Sequence, residues 1–118
     1  MASNKGNKGS SDFHARVLAD YTVQIDMNHK YLEVSDGFCK LLGYSRKELI
    51  GKRFDEVIAP QTVNLPIIFE LFWQNGYMHG IWILLNRSRT TRFIVLFEAW
   101  LQTGGRIECN MELLGAGA

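Results

Sequence analysis

The sequence predicts one α+β domain in which short helices lie on one face of a five-stranded antiparallel sheet. Residues 35–51 contain signals for two short capped helices, which are too short to persist alone and must pack on something larger. Segments of alternating polar and apolar residues precede and follow them, with the period of half-buried strands. With 118 residues and 47% hydrophobic content, the chain is large enough for a single modest core.

The first twenty residues divide into two parts. Residues 1–10, MASNKGNKGS, are poor in apolar side chains, which is typical of a disordered tail. Ser11 can cap a flanking helix over residues 11–20. In that helix Phe13, Val17 and Leu18 share one side.

A hairpin follows. Tyr21, Val23, Ile25 and Met27 alternate with polar residues, and residues 28–30 form a polar break of hairpin length. The pattern predicts a half-buried first strand that is followed by a hairpin turn.

The second strand is predicted over residues 31–34, with Leu32 and Val34 on one side. Asp26 lies beside the turn, where a carboxylate commonly accepts hydrogen bonds from backbone amides. That role is preferred for Asp26 over proton transfer.

The most specific segment is residues 35–51, SDGFCKLLGYSRKELIG. Ser35 or Asp36 can cap a first helix, and Gly43 ends it because glycine adopts the left-handed conformation at little cost. Residues 45–48, SRKE, have the spacing of a capping box at the start of a second helix.

The second half of the chain begins with the main helix, which is predicted from its cap Asn64 to a stop at Gly76. The three remaining strands are predicted over residues 77–86, 91–101 and 106–113. The domain as a whole is placed at residues 21–114. Residues 115–118, Gly-Ala-Gly-Ala, offer no side chain to pack and are predicted to be a flexible tail.

The fourth strand has one clearly apolar face. Its other face carries Arg92, Ile94, Leu96, Glu98 and Trp100, which together are too hydrophobic to contact only water. The flanking helix is expected to pack there and either to cover this face or to form a homodimer. The predicted partner surface consists of Phe13, Val17, Leu18, Ile94, Leu96 and Trp100.

Residues 23–52, VQIDMNHKYLEVSDGFCKLLGYSRKELIGK, resemble the opening of the PAS sensor domains. The shared order is strand, Asp, turn, strand, polar cap, short helix, Leu-Gly-Tyr and a Glu-Leu-Ile-Gly segment. The resemblance extends at lower specificity over residues 21–114. Two departures are Ser35-Asp36 in place of the usual asparagine, and residues 88–90 in place of the usual Asp-Gly turn.

The resemblance implies the PAS fold and a non-catalytic sensory or protein-interaction module of a bacterial signalling protein. Its expected partner is a second copy or a partner signalling domain. Whether the chain is a stand-alone protein or a piece of a larger receptor stays open at this point.

The resemblance also allows the cofactor branches of the family to be compared. The flavin-binding, light-sensing branch carries an Asn-Cys-Arg-Phe-Leu-Gln segment after the short helices, whereas residues 52–66 contain no cysteine, which excludes that photochemistry. Haem-binding members carry an axial histidine on the long helix, and residues 64–75 contain none. His79, just beyond, is interpreted as a surface residue. No cofactor is therefore predicted, and the spacing of the histidines predicts no metal site.

The remaining candidate site is the apolar interior. A packed core and a pocket for a small apolar or aromatic ligand both fit its composition. The residues expected to face it are Phe38, Leu42, Ile68, Phe72, Trp82, Phe97 and Met111.

Charge and hydropathy argue against two partner classes. Residues 12–114 carry eleven basic and twelve acidic residues, a net charge of −1, which argues against nucleic acid. No apolar run approaches the ~20 residues of a membrane span, and no signal segment appears, so a cytoplasmic location is expected. Cys39 and Cys109 are expected to be reduced, buried thiols.

An enzyme is the alternative function. Small α+β cones also host isomerases and hydratases that act on apolar substrates, and these need an acid or base facing the cavity. Glu98 and Asp26 are the strand carboxylates that could serve, and both are assigned to outward faces.

Overall fold

The computed structural model describes residues 21–60 and 64–118. Five strands form one antiparallel sheet in the order β2-β1-β5-β4-β3. The strands are β1 Tyr21–Ile25, β2 Tyr31–Val34, β3 Tyr77–Leu85, β4 Arg92–Leu101 and β5 Ile107–Gly117. Between β2 and β3 lie helices α1 Asp36–Leu42 and α2 Arg46–Leu49, a 3-10 helix Phe54–Val57, and helix α3 Leu65–Asn75.

The predicted α+β class and five-stranded antiparallel sheet are confirmed. The tail over residues 1–10 and the flanking helix over residues 11–20 lie outside the described residues. No helix in the described part of the chain is long and apolar enough to cross a bilayer.

The β1–β2 hairpin contains an irregular register. Val23 pairs with Val34, whereas Ile25 pairs with Tyr31, so Leu32 is an extra residue in β2. Tyr31 and Val34 are therefore buried, and Leu32 is exposed. The prediction that Leu32 and Val34 share a face was wrong because it assumed unbroken alternation.

The turn of this hairpin is held by Asp26, as predicted. Its Oδ1 accepts hydrogen bonds from the backbone N–H groups of Asn28 at 2.8 Å and Lys30 at 3.0 Å. His29 adopts a left-handed conformation with φ 65°, which the short turn requires.

The corner formed by α1 and α2 contains the caps that the sequence indicates. The Ser35 hydroxyl accepts from the Phe38 N–H at 3.3 Å, and Gly43 ends α1 with φ 81°. At α2, the Ser45 hydroxyl accepts from the Glu48 N–H at 3.1 Å, and the Glu48 carboxylate accepts from the Ser45 N–H at 2.9 Å. These bonds satisfy helix-end donors that would otherwise lack partners.

β5 is longer than predicted. It continues through Gly117, which pairs with Arg92, and Ala116 pairs with Phe93. The prediction that residues 115–118 form a flexible tail is wrong for 115–117. A sheet ladder uses backbone groups, so small side chains do not prevent pairing.

The chain on either side of the 3-10 helix contacts both edge strands of the sheet. Before the helix, the Tyr31 N–H donates to the Lys52 carbonyl at 3.0 Å, and the Gly51 N–H donates to the Tyr31 carbonyl at 2.9 Å. After it, the Ala59 N–H donates to the Ile83 carbonyl at 2.8 Å. This connection therefore spans the concave face of the sheet from β2 to β3.

Candidate ligand cavity

One face of the sheet and the helices packed on it line an apolar cavity of about 50 Å³. Its sixteen lining residues come from every strand, from α1 and α3, and from the 3-10 segment. The lining consists of Val23, Ile25, Tyr31, Phe38, Phe54, Ile58, Phe69, Phe72, Met78, Trp82, Leu84, Phe97, Ala99, Ile107, Cys109 and Met111.

The lining is almost entirely hydrocarbon, aromatic ring and sulfur. Three of its side chains, those of Tyr31, Trp82 and Cys109, carry a hydrogen-bond donor, and none of the sixteen is a carboxylate, an imidazole or an amine. A buried water needs two to four polar partners. The cavity therefore suits an apolar occupant better than a water cluster.

Five of the seven residues predicted for this interior line the cavity. They are Phe38, Phe72, Trp82, Phe97 and Met111. Their proposed role in holding a ligand stays a prediction.

Leu42 and Ile68 do not line the cavity. Leu42 is 0% exposed, but it lies at the end of α1, where its carbonyl accepts from the Arg87 N–H at 2.7 Å. Ile68 is half-buried, because α3 is rotated so that Phe69 and Phe72 face the cavity instead. Ile68 and Phe69 are adjacent apolar residues of α3, and only packing against the sheet decides which of them faces the cavity.

Among the lining residues that the sequence did not identify as pocket candidates, two groups differ in how they could have been found. Those on β1 and β5, such as Ile25 and Cys109, follow simple alternation and were recognisable as inward-facing. Tyr31 is turned inward by the irregular register, and Phe54 and Ile58 belong to a segment with no periodic pattern. Sequence periodicity carries no signal for this second group.

A series of aromatic rings runs from the surface to the cavity. His29 stacks on Phe69 with a centroid distance of 4.0 Å, and Phe69 meets Phe54 edge-on at 5.0 Å. Phe54 contacts Trp82 at 6.3 Å, and Trp82 stacks on Phe97 at 4.9 Å. Ring pairs of this kind contribute roughly 0.5–1.5 kcal/mol each beyond the area they bury.

Phe69 also separates the cavity from a surface groove of about 640 Å³ between α3 and the hairpin turn. It lines both spaces. Trp73 lies along the groove, as do Arg53 and Asp55, which form an ion pair at 3.1 Å. Phe69 therefore lies at the boundary between the cavity and the groove.

A family model for the PAS fold matches residues 13–113. This chain is a PAS domain. No curated protein is similar enough in sequence to count as a match.

Solved PAS domains of low sequence identity share the fold. That of an HTR-like protein from Haloarcula marismortui has a TM-score of 0.67 at 16% identity, over 93% of this chain and 95% of that one. That of a two-component sensor histidine kinase has a TM-score of 0.66 at 17% identity, over 90% and 99%. That of the fruit-fly ELK potassium channel has a TM-score of 0.67 at 15% identity, over 90% and 95%. At these identities the likeness is one of fold.

The outer face of the PAS sheet carries a buried carboxylate. Glu98 is 5% exposed, and its Oε2 accepts a hydrogen bond from the Tyr77 hydroxyl at 2.6 Å. Burial, followed by this bond, raises the pKa of Tyr77 to about 12. His79 is the cross-strand neighbour of Glu98. Glu98 faces outward, as predicted, and neither it nor Asp26 lines the cavity.

The rest of that face is partly exposed and apolar. Cross-strand pairs join Tyr77 to Trp100 and Ile81 to Leu96. Ile81 is 57% exposed and Ile94 is 42% exposed, while Leu96 and Trp100 are half-buried. These five residues are called the outer patch below. The other predicted contributors, Phe13, Val17 and Leu18, lie outside the described residues.

Both cysteines of the PAS domain are unpaired and buried, as expected. Burial raises the pKa of the Cys39 thiol and raises that of Cys109 to about 12. Both are therefore protonated at neutral pH and are weak nucleophiles. The described residues contain no group of three or more His, Cys, Asp or Glu that could hold a metal ion.

Proposed function

We propose that this PAS domain is a non-catalytic sensory module of a bacterial signalling protein, which holds a small apolar ligand in the interior cavity and homodimerises through the outer patch. The observation that carries the ligand part is the lining itself, in which none of the sixteen side chains is an ionisable acid or base of ordinary pKa near neutrality. Such a surface recognises mainly shape and apolar area, and it offers no carboxylate, imidazole or amine for proton transfer. The sensory role follows from membership of the PAS family.

The size of the cavity sets the size of the ligand. At about 50 Å³ it is smaller than most ligand sites, which are roughly 300–1,000 Å³. Of the sixteen lining residues, only Phe69 and Met78 are not fully buried. Methionine adapts its shape easily, and Phe69 borders the groove. We infer that ligand entry moves these two side chains and enlarges the cavity.

Ligand binding is tested with Ala99→Val. Ala99 lines the cavity and is buried, so the added methyl groups reduce the space available. Benzene and toluene should raise the Tm of the original protein in a thermal-shift series and should raise that of the variant much less. Ala116→Val, at an exposed position of β5, is the matched control and should respond like the original protein. Equal shifts in all three proteins, or none in the original protein, would refute binding in the cavity.

Freshly purified protein provides a second test of occupancy. An absorbance spectrum and native mass spectrometry should show a colourless protein and, if a ligand is retained, one fixed added mass. A visible absorption band would contradict the expectation that no coloured cofactor is bound.

Homodimer formation is supported by the apolar character and exposure of the outer patch. Ile94→Glu places a charge in the patch, whereas Ile67→Glu places one on the far side of the molecule, on α3. Both isoleucines are exposed, at 42% and 55%, so the substitutions are comparable. Sedimentation at micromolar protein should give a dimer for the original protein and Ile67→Glu, and a monomer for Ile94→Glu. Monomer in all three would remove the dimer from the proposal.

The isomerase or hydratase alternative needs an acid or base that faces the cavity. Glu98 and Asp26, its candidate residues, lie on the outer face and in the hairpin turn. No observation favours this alternative. A cytoplasmic location belongs to the proposal as well, and the two unpaired, buried cysteines support it.

A further inference from the structure

We propose that the Tyr31 hydroxyl determines the specificity of the cavity, and that the preferred ligand is a compact, uncharged aromatic molecule with one hydrogen-bond acceptor. This inference rests on the proposed function, because it names the ligand class of the same cavity. Tyr31 is turned inward by the irregular register of the β1–β2 hairpin rather than by simple alternation.

The ring of Tyr31 is held in place from several sides. The residue is 3% exposed, and its backbone is bonded on one side to Gly51 and Lys52. On the other side it pairs with Ile25 of β1. Its ring contacts Phe38 with a centroid distance of 5.8 Å. A ring so constrained presents its hydroxyl at a nearly fixed position, which is what a specificity-determining group requires.

The hydroxyl has hydrogen-bonding capacity left over. Among residues 21–60 and 64–118, no hydrogen bond involving the Tyr31 hydroxyl is seen. Burial, and then the neighbouring Cys109, Tyr44 and Asp55, raise its pKa well above the ordinary value. The group therefore stays protonated at neutral pH and remains a donor. The hydroxyl is not among the fully buried polar atoms that lack a partner, so it keeps contact with open space, and a ligand acceptor that reaches it gains a hydrogen bond.

The chemistry of the remaining lining narrows the ligand class. Phe38, Phe72, Trp82 and Phe97 surround the cavity with rings, which favour a flat aromatic guest through stacked and edge-on contacts. A charged guest would be buried without a counter-charge, at high cost. Cys109 also lines the cavity and carries a second, weaker donor.

The test compares two probes of the same shape, acetophenone and α-methylstyrene, which differ in whether the side group ends in a carbonyl oxygen or a CH₂. Dissociation constants are measured by NMR titration for the original protein, Tyr31→Phe and Tyr21→Phe. Tyr21 is a half-buried tyrosine on β1 that does not line the cavity, so it controls for loss of a hydroxyl elsewhere.

Tyr31→Phe should weaken acetophenone binding about tenfold, which corresponds to about 1.4 kcal/mol. It should change the Kd of α-methylstyrene by less than twofold, and Tyr21→Phe should leave both values unchanged. The Tm of ligand-free Tyr31→Phe should equal or exceed that of the original protein, because the lost hydroxyl has no partner to leave behind.

The outcomes separate the two proposals. Suppose that both probes bind the original protein. If Tyr31→Phe then weakens the binding of both probes equally, or weakens the binding of neither, the role of the hydroxyl is refuted while ligand binding stands. A lowered Tm of ligand-free Tyr31→Phe would likewise indicate a structural bond and overturn the inference. If neither probe binds, the proposed cavity function fails, and this inference fails with it.

Discussion

Two helical regions on the same side of the sheet are held in place to very different degrees. In the α1–α2 corner, Leu42 and Leu49 are 0% exposed, and both helices begin at a serine cap. In α3, which has 11 residues, Phe72 is the fully buried side chain, and Ile67 and Leu71 are exposed by 55% and 49%. The longer helix is therefore the more weakly packed one.

The difference shows where the cavity can change shape. The corner contributes Phe38 to the lining from a helix that is fixed at both ends. α3 contributes Phe69, a half-buried ring that borders the surface groove. Segments with little buried apolar area open most readily. We infer that the α3 side yields first when a ligand enters, and that the corner keeps its shape.

The largest expected effect separates the two regions by stability. Leu42→Ala removes a fully buried side chain and should lower the free energy of unfolding by about 2–5 kcal/mol. Leu71→Ala makes the same chemical change at an exposed position of α3 and should cost no more than about 0.5 kcal/mol. Urea denaturation measures both. Similar losses in the two variants would show that α3 is as firmly packed as the corner.

A smaller effect tests whether the helix ends differ as well. Gly43 ends α1 with φ 81° and Gly76 ends α3 with φ 75°. A Cβ added at either position would meet its nearest side-chain atom at 3.8 or 4.0 Å, an ordinary contact, so the cost of alanine comes from the backbone conformation. Gly43→Ala and Gly76→Ala should each cost about 1–2 kcal/mol in urea denaturation.

Equal losses of stability in Gly43→Ala and Gly76→Ala would show that the two regions differ in side-chain packing and not in how firmly their helix ends are held. A silent Gly76→Ala would instead show that the end of α3 frays in the native state. Amide hydrogen exchange of residues 72–76 would then be fast as well.

The smallest effect concerns pH. The backbone N–H of Ser45, and then Arg87, whose guanidinium lies 2.8 Å from the carboxylate, lower the pKa of Glu48 below its ordinary 4.5. The ionised Glu48 carboxylate therefore stabilises the folded protein fully above the unfolded-state pKa of this residue. That stabilisation is lost as the pH falls through its folded-state pKa. Glu48→Gln should flatten the decline of the urea midpoint between about pH 5 and 3.

The control for this change lies on α3. Its first turn has no acidic residue, and Glu70 is exposed on its middle turn. Glu70→Gln should leave the pH profile of the urea midpoint unaltered. An identical profile for Glu48→Gln would show that the capping box contributes nothing that depends on charge.

The two regions also differ in how much of their structure the sequence could predict. The caps of the α1–α2 corner involve residues three positions apart, so Ser45 and Glu48 reveal their partnership in the sequence. The inward face of α3 depends on contact with a distant sheet, and the choice between Ile68 and Phe69 is not encoded locally. Tyr31 was missed because one extra residue in β2 reverses the alternation. The same limit applies to residues 115–117, where backbone pairing matters and side-chain pattern is uninformative.

The connection around the 3-10 helix has a consequence for how molecules of this domain meet. Open edge strands present unpaired backbone groups that recruit strands from other chains, and this is a common origin of aggregation and fibrils. Here the backbone groups of Tyr31, on one border of the sheet, are hydrogen-bonded to Gly51 and Lys52. On the other border, the Ile83 carbonyl accepts from the Ala59 N–H. These hydrogen bonds block the addition of another strand at Tyr31 on one border and at Ile83 on the other.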